Sequence, residues 1–295
     1  LKVLTFFNTL LRISTIHKDV AMTAKVHPLA CVDIQAELAD DVEVGPFCVV
    51  GPHVKISAGC VLQNHVTIVG HTTIGFNNRF FPYSAIGCEP QDMGYSGAPT
   101  RVEIGDNNIF REGVTVHRGA EKEDWVTRIG NRNLFFSNAH VAHNCHVYND
   151  AMLVNGVLLG GHVHVHDGAI VSGNTVVHHF TSVGTLAFIT GASRLVVDLP
   201  PYMLAAGNDK LEIHTVNLVG MKRKGIPTAV IQVIRRAHRL LFREFKTIEY
   251  VKQLFDAEFD GDLPKELNTL LNFIFAQNLG VNGRGREAIR RVKAA

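Results

Sequence analysis

An aliphatic or aromatic residue returns every six positions along most of this chain. The series begins Val26, Val32, Leu38, Val44, Val50, Ile56, Leu62, Ile68, Ile74, Phe80, Ile86. It resumes at Ile104, Phe110 and Val116, and then runs unbroken from Ile129 through Phe135, Val141, Val147, Leu153, Leu159, Val165, Val171, Val177, Val183 and Ile189 to Leu195. A period of six matches neither the 3.6 of a helix nor the 2 of a half-buried strand. It is the signature of hexapeptide repeats that wind into a parallel β-helix. Three hexads make one triangular coil, each periodic residue points into the prism, and coils stack at the strand spacing of about 4.8 Å. The hexapeptide class coils left-handed, against the usual crossover rule. The predicted fold is therefore an all-β left-handed parallel β-helix followed by a C-terminal α-helical domain.

The register breaks twice, across Cys88–Arg101 and across Arg118–Arg128, and each break predicts a loop projecting from the prism. The repeat ends at Asp198-Leu199-Pro200-Pro201, a boundary signal. Beyond it, Pro227 opens a helical pattern with Val230, Ile234, Ala237, Leu241 and Phe245 on one face. Thr247 is placed to cap a second helix over Ile248–Phe255, and Pro264 opens a third with Leu267, Leu270, Leu271 and Ile274 together. The basic tail Arg284–Ala295 is expected to be loosely ordered. The division is a leader at 1–21, a β-helix at 22–205 and a helical domain at 206–295. The leader carries Lys2, Arg12 and Lys18 with no acid before Asp19, a composition shared with transit peptides; a start at Met22 is the simpler expectation.

Composition changes the picture little until it is split. The 295 residues carry a formal net charge of +2. Residues 206–295 hold 16 Lys and Arg against 10 Asp and Glu, and the remainder 13 against 17. A basic C-terminal third suits a phosphate-bearing ligand or an acidic protein partner, and it is too mild and too poor in aromatics for nucleic acid. Five cysteines without CxxC spacing suggest a reduced, cytoplasmic setting, and no apolar run approaches a membrane span.

The chemistry concentrates in Asn138-Ala139-His140-Val141-Ala142-His143-Asn144-Cys145-His146. Residues 18 apart are stacked neighbours on such a scaffold, so His143 lies beneath Gly161, which lies beneath His179, with His162 and His178 alongside. A histidine under a glycine can take a proton while the bare backbone N–H meets a developing oxyanion. Histidines that merely decorate turns are the plain alternative for any one of them. Zinc is the rival for His140, His143 and His146, as in γ-class carbonic anhydrases, yet positions i, i+3 and i+6 progress around the prism and do not converge within one chain. Cys145 beside His143 reads as a small structural residue. The Cys88–Arg101 loop offers Gln91, Asp92 and Tyr95 to a sugar, and Asn217 with Lys222-Arg223-Lys224 offers an amide and cations to a diphosphate.

Seven stretches then occur together and in order: IGCEPQDMGYSGAPTRVEIGDNN, VTVHRG, NAHVAHNC, LGGHVHV, VVHHF, DLPPYMLAAGN and VNLVGMKRKG. From Met22 to Phe275 the chain resembles the UDP-N-acetylglucosamine acyltransferases, which catalyse the first step of lipid A synthesis. The resemblance implies a homotrimer with active sites between neighbouring subunits and no cofactor or metal. It implies transfer of a (3R)-3-hydroxyacyl chain from acyl carrier protein to the sugar 3-hydroxyl. His143 would be the general base and Gly161 the oxyanion donor. Gln91, Asp92, His117, His140, His162 and His178 would line the substrate cleft, with Asn217 and Arg223 at its nucleotide end. Phe188 and Gly191 are candidates for the far end of the acyl groove. The chain departs from the family at Asn144, where an aspartate usually supports the base, and at Gly94, His179, Val219 and Lys224. Those departures leave an N-acyltransferase acting on a 3-amino sugar nucleotide as the alternative.

Overall fold

The computed structural model describes residues 24–208 and 211–287, so the leader lies outside the described residues. Short parallel strands, mostly of two residues, form three faces of a left-handed β-helix, with 11, 9 and 8 strands respectively. Through the repeat each strand pairs with the third strand on, as Cys31↔Val49 and Glu43↔Val61 illustrate. Every periodic residue from Val44 to Leu195 is at most 5% exposed. Val26 is 42% exposed, since among the described residues no coil lies below the first one.

Both register breaks are loops, as the pattern predicts. Across the first, Phe80 pairs with Phe110, and across the second Phe110 pairs with Phe135. The three rings stack inside the prism at 4.7 Å, nearly parallel. A buried ladder runs beside them: Asn108 Nδ2 donates to Asn78 Oδ1 at 2.9 Å, and the Asn133 N–H donates to Asn108 Oδ1 at 2.8 Å. Interior amides and rings thus keep the coils in register while the chain leaves and returns.

Turns between hexads need a left-handed residue, and Asn138, Asn144, His162 and Phe180 take it with φ between 57° and 64°. Asparagine tolerates this conformation well; a histidine or phenylalanine does so at a cost that the stacked coils impose.

After the repeat, Met203–Ala206 extends the 11-stranded face in parallel, and Glu212–Val216 closes it antiparallel. Four helices follow: α1 (Leu218–Arg223), α2 (Thr228–Phe242), α3 (Ile248–Glu258) and α4 (Lys265–Leu279). Pro227 and Pro264 stand at the N-caps of α2 and α4, and the Thr247 hydroxyl accepts the Tyr250 N–H. Leu267, Leu270, Leu271 and Ile274 are buried as expected. The α2 face is rotated from its expected position: Ile231, Ile234, Ala237 and Leu240 are buried, and Phe245 is 83% exposed. The helix stops at Phe242, so its 3.6-residue register no longer carries Phe245 toward the core.

The end of the chain also differs from expectation. Arg284 is buried and Arg286 bonds to the β-helix; residues 288–295 lie outside the described region.

Candidate active site

His143 sits on the turn between the 9-stranded and 8-stranded faces, just after the strand His140–Val141. Its Nδ1 lies 2.9 Å from Asn144 Oδ1. That oxygen also accepts the Ala120 N–H at 2.8 Å, while Asn144 Nδ2 donates to the Lys122 carbonyl at 2.7 Å. The amide is therefore fixed with its oxygen toward the imidazole. An oxygen there requires Nδ1 to carry the hydrogen, so Nε2 presents its lone pair. The Asn144 N–H donates to the Thr127 hydroxyl at 2.9 Å, and the turn is held from below as well.

Burial lowers the His143 pKa; the Asn144 contact pulls the other way. The imidazole is consequently neutral at pH 7. Gly161 lies against it, and a Cβ there would come within 2.6 Å of the imidazole Cε1. Any larger residue would displace the ring. Among the described residues no acceptor takes the Gly161 N–H.

The two loops close over this corner. Asp92 pairs with Lys122 and accepts the Gly94 N–H at 2.8 Å, and its Oδ2 stands 3.7 Å from His143 Nε2. The Lys122 ammonium holds the Asp92 carboxyl below its ordinary range. Tyr95 takes two bonds from Arg118 and donates to the Ala98 carbonyl, joining loop to loop. Gln91 is exposed beside Asp92.

His140 accepts or donates at Thr115 Oγ1 at 2.7 Å, and His117 meets it edge to face at 4.9 Å. Burial pushes His117 down to about 4, and its Nδ1 has no partner among the described residues. His162 meets His143 edge to face at 5.2 Å and stacks on Phe180 at 4.2 Å. Its Nδ1 lies 3.2 Å from Glu123 Oε2, without the alignment of a hydrogen bond. The His178 and His179 rings lie 3.7 Å apart one coil further on, tilted by 34°.

His146 turns away to stack on Tyr148 at 3.7 Å, so the three histidines do not converge on one point. Among the described residues no three His, Cys, Asp or Glu side chains are placed to hold a metal ion. Cys145 is inside the prism with its thiol against the Gly160 carbonyl at 3.1 Å, and burial pushes it up to about 12. It is no nucleophile.

The second group of expected residues is elsewhere. A cavity of about 480 Å³ is lined by Ile170, Leu186, Phe188 and Leu204 together with Asn217, Arg223 and Lys224. Asn217 is buried: it donates to the Leu186 carbonyl at 2.8 Å and caps α1 through the Gly220 N–H at 3.0 Å. Lys224 reaches Asp150 at 3.1 Å. The cavity flanks the 11-stranded face, one corner removed from His143. Phe188 thus joins the cationic group, while Gly191 sits outside this lining, against the Gly173 backbone. Sequence reasoning missed Lys122 and Glu123; a run of four charged residues, Glu121 to Asp124, inside a register break was the available signal.

Residues 198–282 match the family model described as UDP-N-acetylglucosamine O-acyltransferase, domain 2. An acyl-[acyl-carrier-protein]–UDP-N-acetylglucosamine O-acyltransferase of Syntrophobacter fumaroxidans is 39% identical over 257 residues, covering 87% of this chain and 99% of the relative. The enzyme of the same name from Stutzerimonas stutzeri is 41% identical over 224 residues, 76% and 86% of the two chains. Among solved structures, LpxA of Acinetobacter baumannii superposes with a TM-score of 0.80 at 38% identity, over 84% of this chain and 95% of that one.

Proposed function

Because the chain belongs to the UDP-N-acetylglucosamine O-acyltransferase family, we propose that it moves a (3R)-3-hydroxyacyl group from acyl carrier protein to the 3-hydroxyl of UDP-N-acetylglucosamine, opening lipid A synthesis. The observation that carries the residue assignment is the fixed Asn144 amide, which leaves His143 Nε2 unprotonated and facing the loop that bears Asp92. His143 takes the proton of the sugar hydroxyl as its oxygen attacks the thioester carbonyl. The tetrahedral oxyanion is met by the Gly161 N–H. Collapse breaks the carbon–sulfur bond, and the imidazolium returns the proton to the departing carrier thiolate. Displacement is direct, and every step uses groups of this chain and the two substrates.

Asp92, Gln91, His117, His140, His162, His178 and His179 are assigned to the sugar and acyl cleft, and Asn217, Arg223 and Lys224 to the nucleotide. Asn217 would act chiefly by holding α1, since both ends of its amide are already engaged. Gly191 is assigned to the groove that sets acyl length; Phe188, which lines the cavity with Arg223 and Lys224, is assigned to the nucleotide end instead. The His143 corner and the cationic cavity lie on different corners of one prism, which favours a homotrimer with each site shared between two copies. The acidic carrier protein would dock on the basic C-terminal third, in the cytoplasm; among the described residues no helix is long and apolar enough to cross a membrane.

The test is turnover of UDP-N-acetylglucosamine with a panel of 3-hydroxyacyl carrier proteins by wild type and His143→Ala. An alkali-labile ester product from wild type and a loss of roughly 100-fold or more in the variant are expected. Product only from a 3-amino sugar nucleotide would move the reading to the N-acyltransferase, and unchanged turnover in the variant would remove His143 from the mechanism.

A further inference from the structure

The segment Val281–Glu287 is fastened to the β-helix far more firmly than its composition suggests. Asp198, at the end of the repeat, accepts the Ser182 and Gly285 N–H groups at 2.7 Å each. Its own N–H donates to the Gly283 carbonyl at 2.8 Å, and Gln277 of α4 donates to the Asp198 carbonyl at 2.8 Å. Arg284 donates to the Val196 carbonyl at 2.5 Å and pairs with Glu287 at 2.6 Å. The anchoring carboxylate is buried, and burial pushes it up to about 6. These bonds have one common consequence: they deliver Arg286 to the corner that holds His143.

There the Arg286 guanidinium spans two groups. One nitrogen donates to the backbone carbonyl of His162, and the other lies 2.9 Å from Glu123 Oε1. The second oxygen of Glu123 faces His162 Nδ1 at 3.2 Å. Glu123 belongs to the loop whose Ala120 N–H and Lys122 carbonyl orient Asn144, and Asn144 in turn orients His143. We propose that Arg286 is a positioning residue for the acyl transfer, clamping Glu123 and the His162 backbone so that the second loop and His162 are held in place around His143. This rests on the reading of His143 as the base.

The physical case is one of burial and geometry. The side chains of Arg286 and Glu123 are 19% and 31% exposed, and that of His162 is 4% exposed. A guanidinium fork at such a site fixes direction as well as charge, which a lysine does only in part. Without Arg286, Glu123 would keep no full cation at this corner and would turn toward water. The loop would then lose its hold on the turn at 143–144.

The test uses the full chain. Arg286→Ala is expected to lower kcat about 10-fold while KM for UDP-N-acetylglucosamine changes less than about threefold, because the displaced groups act on the base. Arg286→Lys should recover most of the loss. Arg286→Ala combined with Glu123→Gln should be no slower than the slower single variant, as expected of two residues acting as one unit. A crystal structure of Arg286→Ala, independent of any assay, should show Glu123 turned from His162 and the Lys122 carbonyl out of reach of Asn144. Unchanged kcat, strictly additive losses, or an undisturbed corner in that crystal would each overturn the proposal. If wild type turns over and His143→Ala does not, while Arg286→Ala matches wild type, only this inference fails. An inactive wild type would instead count against the reaction, and the crystal structure would still decide the clamp.

Discussion

Asn144 has both ends of its side chain committed: oxygen to the Ala120 N–H and His143, nitrogen to the Lys122 carbonyl at 2.7 Å. The resemblance drawn from the motif suggests that an aspartate there would strengthen the base through charge. The loop built around this amide argues otherwise. In Asn144→Asp a carboxylate oxygen would face the Lys122 carbonyl with no hydrogen between them, in a residue only 3% exposed. An unsatisfied buried acceptor costs about 1–3 kcal/mol, more when charged. The variant is therefore expected to melt several degrees lower and to turn over no faster than wild type, measured by calorimetry and steady-state rates. Equal stability with faster turnover would show that the loop rebuilds itself around an acid. The pairing of His143 with Gly161 was legible from NAHVAHNC and the 18-residue stacking, and the structure sets Gly161 against the imidazole. Its tautomer was not, because that depends on Ala120 and Lys122, and nothing in a hexad pattern indicates how an inserted loop folds back.

Among the elements, the 9-stranded and 8-stranded faces carry histidines that burial keeps neutral. Burial lowers His117 and His146 to about 4 and His164 to about 2, from an ordinary value of 6.5. Unfolding returns each to its ordinary value, so below pH 6.5 the unfolded chain binds protons that the folded chain refuses. Stability from these groups is complete above about 6.5 and is lost as pH falls toward their folded values. Asp198 runs in the opposite sense: raised to about 6, it favours the folded state less as pH climbs from 3.8 through 6. Three histidines against one aspartate predict a melting temperature that falls between pH 7 and pH 4.5. A flat or rising curve over that range would contradict the balance. The six-residue period was enough to place all three faces, because each interior position tolerates only an apolar side chain of suitable size. The helices were legible by their proline and threonine caps, but the buried face of α2 was offset, since a pattern cannot tell that the helix ends at Phe242. The closing strap was illegible: its anchors, Asp198 and Val196, lie some 80 to 90 positions back along the chain.

The whole molecule separates two kinds of chemistry that the reaction must join. The His143 corner and the cationic cavity at Arg223 belong to different corners of the prism, roughly 15–20 Å apart given six residues per side at about 3.3 Å each. Under the proposed reaction, one copy would offer His143 to the sugar and another would bring its cations to the same substrate. In a ring of three identical subunits, each interface then uses His143 from one copy and Arg223 from its neighbour. Mixed assemblies test this directly. His143→Ala and Arg223→Ala, each weakly active alone at low substrate, are unfolded, mixed in equal amounts and refolded together. Random assembly leaves about a quarter of the interfaces with both native residues. Recovery of about a quarter of wild-type activity is the predicted result. Activity no greater than the mean of the two parent variants would place base and cations in a single subunit and contradict the shared site.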